Sequence, residues 1–292
     1  MDKSVHLLTG KAKLAAVLGD PVGHSRSPRL HGYWLAKNNI DGAYVPLHVH
    51  EGHLGSALSS LAELGFAGCN LTIPHKEAAL GLMDSVDEAA QVIGAVNTVI
   101  FTDGRMLGRN TDAEGFVEGL RASLAIQGKT LDTYLAHAVV LGAGGAARAV
   151  IYALLKAGVQ EITLLNRSRH RADALVKDFT AIAGVTPMHV LPWDALETVL
   201  PRASLLVNAT SLGMHNQPPL DVAMHALPIH CLVTDIVYTP LETPLLAAAR
   251  AHGCTVVDGL HMLIHQARAG FAAWFGVWPE VDAELHALVL AG

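Results

Sequence analysis

The chain has 292 residues. That length suits about two domains and buries a sizeable core without disulfide or metal staples. Hydrophobic residues make up 51% and charged residues 16%, which excludes a disordered chain, and the net charge of −6 argues against a nucleic-acid surface or a polybasic membrane patch.

The N-terminal stretch MDKSVHLLTGKAKLAAVLGD is broken by lysines and lacks a cleavage-site pattern, so it reads as no signal peptide. A strand is expected from Leu14 to Leu18, then a helix from Pro28, with Ser27 as its capping residue. Strands at Ala43 to Leu47 and Ala67 to Leu71 flank a helix from Gly52 to Leu64. A second series starts near Ala138 with the buried-strand run AVVLG. The helix GAGGAARAVIYALLKAG follows and ends at Gly158. Further strands are expected at Glu161 to Asn166, Ser204 to Ala209, Cys231 to Val237 and Cys254 to Gly259, with a short one at His189 to Leu191. The last helix begins at Gly259 and carries Leu260, Leu263, Ile264, Ala267 and Phe271 on one side. Strand and helix alternation of this kind predicts an α/β chain with mostly parallel sheets, and the boundary between the two series falls near Asn110.

Cys69, Cys231 and Cys254 are odd in number and widely spaced. They suggest neither a disulfide framework nor a zinc cluster and fit a reducing cytoplasm. Mean hydropathy is +0.35, yet no uninterrupted apolar run reaches the ~18 residues of a membrane span. Among 17 histidines, His48-x-His50-x-x-His53 is the one cluster with metal-like spacing. No HExxH or Cys/His pairing supports it, so these read as surface histidines and no metal is expected.

Gly142-Ala143-Gly144-Gly145-Ala146-Ala147 follows a strand and opens a helix. Glycines there permit a tight turn and close approach of backbone to a pyrophosphate, whose charge then sits on the helix N-terminus. The next strand ends in Asn166-Arg167-Ser168-Arg169-His170-Arg171, without the carboxylate that would hold the ribose 2′-hydroxyl of NAD. Arginines at a strand end suit a 2′-phosphate, which favours NADP(H).

The N-terminal half is dense in polar motifs. GHSRSP places Ser25 and Ser27 around a helix start, where hydroxyls and free amides can hold a carboxylate. In NLTIPHK, Asn70 and Thr72 point the same way along a strand and Lys76 lies just beyond Pro74. GAVNT adds Asn97 and NTDAEG adds Asp112. Taken singly, each of these is an ordinary turn or cap.

Together, and in this order, they resemble the shikimate dehydrogenase family over nearly the whole chain. NATSLGM with Thr210, DIVYTPLETPLL with Ile236 and Tyr238, and DGLHMLIHQA with Gly259, Met262 and Gln266 complete the likeness. The resemblance implies a substrate-binding and catalytic domain of residues 1–110 and 260–292. It also implies an NADP-binding Rossmann domain of residues 111–259, with C-terminal helices returning to the substrate domain. The implied activity is reversible NADPH-dependent reduction of 3-dehydroshikimate to shikimate in aromatic amino-acid biosynthesis, by a monomer or homodimer.

On this likeness Lys76 and Asp112 form the catalytic pair. Ser25, Ser27 and Tyr238 hold the substrate carboxylate, and Asn70, Thr72, Asn97, Asp112 and Gln266 hold its ring hydroxyls. Gly142, Ala143, Gly144, Gly145, Ala146, Asn166, Arg167, Ser168, Arg171, Thr210, Ile236, Gly259 and Met262 bind the cofactor. Two departures stand out. His31 is followed by Gly32, where many members have asparagine or glutamine, and Ile236 sits at a variable position. The alternative is a paralogue with dual quinate/shikimate or amino-shikimate specificity, although NAD-favouring quinate enzymes tend to carry the carboxylate that is missing here. A non-catalytic NADPH-binding protein would have no chemical need for both Lys76 and Asp112. A third alternative, a folate-linked dehydrogenase of similar two-domain layout, finds no support in the serine and Asn-Thr-Asp motifs.

Overall fold

The structure is a computed structural model and describes residues 8–291. The chain divides into two compact units: one runs to Thr111 and resumes at Gln266, and the other is Asp112–His265.

The first unit carries β1 (Lys13–Gly19), α1 (Ser27–Lys37), β2 (Gly42–His48), α2 (Leu54–Glu63), β3 (Gly68–Leu71), the short α3 (His75–Ala78), β4 (Ser85–Val86), α4 (Glu88–Ile93), β5 (Thr98–Thr102) and β6 (Arg105–Arg109). Its strands form one sheet in the order β2-β1-β3-β5-β6-β4. The β1 strand pairs in parallel with β2 and β3, whereas β3–β5 and β5–β6 are antiparallel. The sequence reading missed the β5–β6 hairpin. Its loop is Asp103-Gly104, with φ of 49° and 70°, and Thr102 pairs with Arg105. Two positive φ values in a two-residue loop suit the right-handed twist of the flanking strands, and Asp-Gly is a preferred sequence for such a loop.

Spacing on α1 buries Leu30, His31, Trp34 and Leu35. His31 stacks on Tyr44 with centroids 3.9 Å apart, and Trp34, Phe271 and Trp274 close around it. Each large side chain fully removed from water here contributes roughly 1.5–3 kcal/mol. Gly68 is a packing requirement, because a Cβ there would run into Val99 O and the Trp274 indole, which itself donates to Val99 O at 3.0 Å. Ser27 does not cap α1 as expected. It is the first helical residue, no side chain caps the helix, and its N–H donates instead to Ser25 Oγ at 3.3 Å. The helix simply starts one residue earlier than the Ser-Pro pattern implies, which moves the cap position to Arg26.

The second unit holds α5 (Asp112–Ile126), β7 (Ala138–Leu141), α6 (Gly145–Lys156), β8 (Ile162–Leu165), α7 (Arg169–Ala183), β9 (Met188–Leu191), α8 (Leu196–Val199), β10 (Leu205–Asn208), β11 (Leu232–Asp235), α9 (Pro244–His252) and β12 (Thr255–Val257). All pairings are parallel, in the order β12-β11-β10-β7-β8-β9. The strands β7, β8, β10 and β11 are buried along their whole length, as expected where helices cover both faces of a parallel sheet. Renumbered within the unit, this is the 3-2-1-4-5-6 order of the doubly wound dinucleotide-binding fold, with its switch point between β7 and β10.

From Gly259 to Phe275 runs α10, which leads back into the first unit, and α11 (Ala283–Leu290) follows. The return is tied to α1: Tyr33 Oη donates to Asp282 Oδ2 at 2.8 Å, Trp34 Nε1 to Glu280 O at 2.8 Å, and Arg26 Nη1 to Val289 O at 3.1 Å. Among the described residues, no helix is long and apolar enough to cross a membrane.

Candidate active site

In the first unit, the polar side chains singled out on three separate motifs converge. Asn70, on β3, is buried. It accepts from Tyr44 Oη at 2.7 Å and donates Nδ2 to Asn97 O at 3.1 Å and Thr98 Oγ1 at 3.0 Å. Asn97 donates Nδ2 to Thr111 Oγ1 at 3.0 Å and to Gln266 Oε1 at 3.4 Å, and its Oδ1 accepts from Thr98 Oγ1 at 3.0 Å. Gln266 also accepts from Thr111 Oγ1 at 3.5 Å. The result is one buried network through Tyr44, Asn70, Asn97, Thr98, Thr111 and Gln266. Such networks rigidify a site when every member is satisfied. Tyr44, Thr98 and Thr111 were not singled out in the sequence. Thr98 and Thr111 stand beside motif residues in GAVNT and NTDAEG, whereas Tyr44 carries no local signal.

Lys76 is half-buried on α3. Its carbonyl accepts from Val96 N at 2.8 Å, which fixes the short helix to the residue before Asn97. Thr72 is half-buried in the β3–α3 loop, and its carbonyl accepts from His75 N at 2.9 Å. His75 is buried and bonds Val49 O through Nε2 at 2.8 Å. Ser25 and Ser27 lie together at the start of α1. Asp112 is the first residue of α5, and Tyr238 follows β11, both in the second unit.

In the second unit, the glycine loop sits at the switch point. Gly142 has φ of 104°, and a Cβ there would lie 2.9 Å from Thr210 Cγ2. Thus only glycine lets the turn after β7 pass the loop after β10. Gly144 caps α6 without any side-chain cap bond, and a Cβ on Gly144 or Gly145 would meet nothing within 4 Å. Gly144, Gly145 and Ala146 are exposed. An N-terminus left open in this way fits a pyrophosphate. After β8, Arg167 and Arg171 are exposed, and Asn166 Nδ2 donates to Ser168 O at 2.9 Å. Arg169 is paired with Asp173.

A buried polar brace shapes the remaining loops. Asn208 donates to Asp235 Oδ1 at 2.9 Å, and its own Oδ1 accepts from Thr210 Oγ1 at 2.7 Å and Thr210 N at 3.0 Å. Asp235 also takes Val237 N at 3.0 Å and Thr243 Oγ1 at 2.8 Å. Burial raises the Asp235 carboxyl above its ordinary value, opposed by those three bonds. This brace holds Thr210 and the backbone on either side of Ile236. Gly259 passes so close to Ile236 O that a Cβ would collide with it, and Met262 lies half-buried one turn further on.

A parallel sheet in this order, with an open glycine turn at its switch point, defines a dinucleotide-binding unit joined to a second α/β unit. Residues 17–99 match the shikimate dehydrogenase substrate binding domain, and residues 125–217 match the shikimate / quinate 5-dehydrogenase domain. The shikimate dehydrogenase (NADP(+)) of Rhodospirillum rubrum is 56% identical over 287 residues, covering 97% of this chain and 99% of the relative. A Thermus thermophilus shikimate 5-dehydrogenase, solved with NADP(H) and shikimate, is 38% identical with a TM-score of 0.82, covering 95% of this chain and 98% of that one. A Corynebacterium glutamicum quinate dehydrogenase, solved with NAD, is 33% identical with a TM-score of 0.88, covering 96% of this chain and 99% of that one. The chain belongs to the shikimate dehydrogenase family.

Proposed function

We propose that this chain catalyses the reversible NADP-dependent reduction of 3-dehydroshikimate to shikimate, with Lys76 and Asp112 as its catalytic pair. The observation that carries the reading is the buried Asn70–Asn97–Gln266 network beside the short helix of Lys76. It gathers amide groups suited to ring hydroxyls within the unit that matches the substrate binding domain.

Ser25, Ser27 and Tyr238 take the substrate carboxylate. Asn70, Thr72, Asn97, Asp112 and Gln266 take the ring hydroxyls. Bound NADPH supplies the hydride. Reduction builds negative charge on the ketone oxygen. The Lys76 ammonium stabilises that charge and gives the oxygen its proton. In the reverse direction Lys76 takes the proton back. Asp112 orients Lys76 and a substrate hydroxyl and does not itself abstract the proton.

The amides at the start of α6, with Gly142, Ala143, Gly144, Gly145 and Ala146, hold the pyrophosphate. Asn166, Arg167, Ser168 and Arg171 take the ribose 2′-phosphate. Thr210, Ile236, Gly259 and Met262 line the nicotinamide end. The enzyme works in the reducing cytoplasm, in accord with its three free, buried cysteines, and its partner is this small substrate. The test is NADPH oxidation by the purified protein with and without 3-dehydroshikimate. Oxidation only with the substrate present supports the reading, and none in either case refutes it.

A further inference from the structure

The pairing of β1 with β2 gathers three metal-ligating side chains that lie far apart in sequence. His48 is the last residue of β2 and His50 lies two residues beyond it, with the two rings in edge contact. Their centroids are 4.5 Å apart. Gly19 pairs opposite His48, which brings the next residue, Asp20, alongside. Asp20 Oδ1 lies 2.6 Å from His48 Nε2 and Oδ2 lies 3.3 Å from His50 Nδ1, and the Glu51 N–H donates to Oδ2 at 3.4 Å. One ligand atom from each of the three lies within 4.8 Å of the other two.

We propose that Asp20, His48 and His50 bind one divalent, nitrogen-preferring metal ion of the zinc, nickel or copper class. Ligands at roughly 2.0–2.2 Å from a four-coordinate ion stand roughly 3.3–3.6 Å from one another. Small side-chain rotations therefore close the set. Two imidazoles and one carboxylate suit these ions, whereas calcium and magnesium prefer more oxygen donors. The two rings face an open groove that they share with His53, Ser56 and Ser60. The ion enters from solvent and keeps water in the position left open. Binding turns His48 to the tautomer with its proton on Nδ1, leaving Nε2 free to ligate.

The ligands also sit on a stiff base. Asp20 N donates to Ile73 O at 3.0 Å, and Val49 N donates to Gly19 O at 3.2 Å. None of the three is among the residues assigned above to substrate or cofactor. An ion there ties the ends of β1 and β2 together and raises the melting temperature by mass action on the folded state. The spacing of His48, His50 and His53 alone reads as surface histidines, because the third ligand, Asp20, lies 28 residues before His48 and reaches it only through the strand pairing.

The test is calorimetric titration of the untagged protein with zinc chloride near neutral pH, beside Asp20→Asn and His50→Gln. We expect one ion per chain in the wild type. Each variant should bind at least about tenfold more weakly, since a lost ligand costs no less than a lost outer partner. With Co²⁺ as a second probe, visible d–d absorption should appear in the wild type and be lost in both variants. Circular dichroism reports whether the variants fold. Zinc uptake no stronger in the wild type than in folded His50→Gln and Asp20→Asn would overturn the assignment.

Discussion

Asn97 holds Thr111 at two points. Its Oδ1 accepts the Thr111 N–H at 2.9 Å, and its Nδ2 donates to Thr111 Oγ1 at 3.0 Å. Both residues are buried, and Thr111 is the residue that Asp112 follows. Asn97→Ala removes the acceptor of the buried Thr111 amide and one of the donors to Gln266 Oε1. We expect a loss of about 1–3 kcal/mol in urea denaturation, the cost of a buried unsatisfied group. A larger KM for shikimate should accompany it. Unchanged stability and unchanged KM would show that the network is dispensable.

Lys76→Ala is expected to lower kcat by ~10²–10⁴-fold, the usual range for a positioned acid–base group. The backbone bond from Val96 N to Lys76 O survives the change, so α3 stays in place. NADPH binding, read by nucleotide fluorescence, should stay close to wild type. A near-normal kcat in the folded variant would remove Lys76 from the mechanism.

Arg167 and Arg171 are exposed after β8, where charge-assisted contacts to a phosphate lie at the weak end of their range. The double change to alanine should raise KM for NADP by about tenfold or more and leave KM for NAD almost unaltered. Equal effects on both nucleotides would mean that the arginines do not read the 2′-phosphate.

His31 gives the fold a calculable acid sensitivity. Burial holds its ring at about 3, against an ordinary value of 6.5, and neither ring nitrogen has a hydrogen-bond partner among the described residues. Between those values the unfolded chain binds a proton that the folded chain does not. Stability therefore rises with pH through this window and is complete above about pH 6.5. Below it, His31 removes at most about 1.4 kcal/mol per pH unit. His31→Phe keeps a ring against Tyr44 and removes the titration. Its urea midpoint should fall less between about pH 6.5 and pH 4 than that of the wild type, and identical slopes would refute the assignment.

The parts of the fold that were plain in the sequence are those built from local pattern. Buried-strand runs such as AVVL and the glycine turn before α6 depend on residues adjacent in the chain, so period and punctuation reveal them. Features made by pairing were not visible. The Asp103-Gly104 hairpin was overlooked because the short flanking runs lie in a stretch read as a domain boundary, though its turn signal was there. Ser27 looked like a cap, but the helix begins on it, and cap geometry depends on backbone angles that residue types do not specify. Asn208, Asp235 and Thr243 brace the loops after β10 and β11 from three segments, and nothing local marks a buried carboxylate. Tyr44 reaches Asn70 only because β1 lies between β2 and β3.

The pairing of substrate with cofactor is read by kcat/KM for oxidation of shikimate and of quinate, each with NADP and with NAD, on one purified sample. A strong preference for shikimate with NADP is expected. Equal or better turnover of quinate, or of either substrate with NAD, would overturn the assignment.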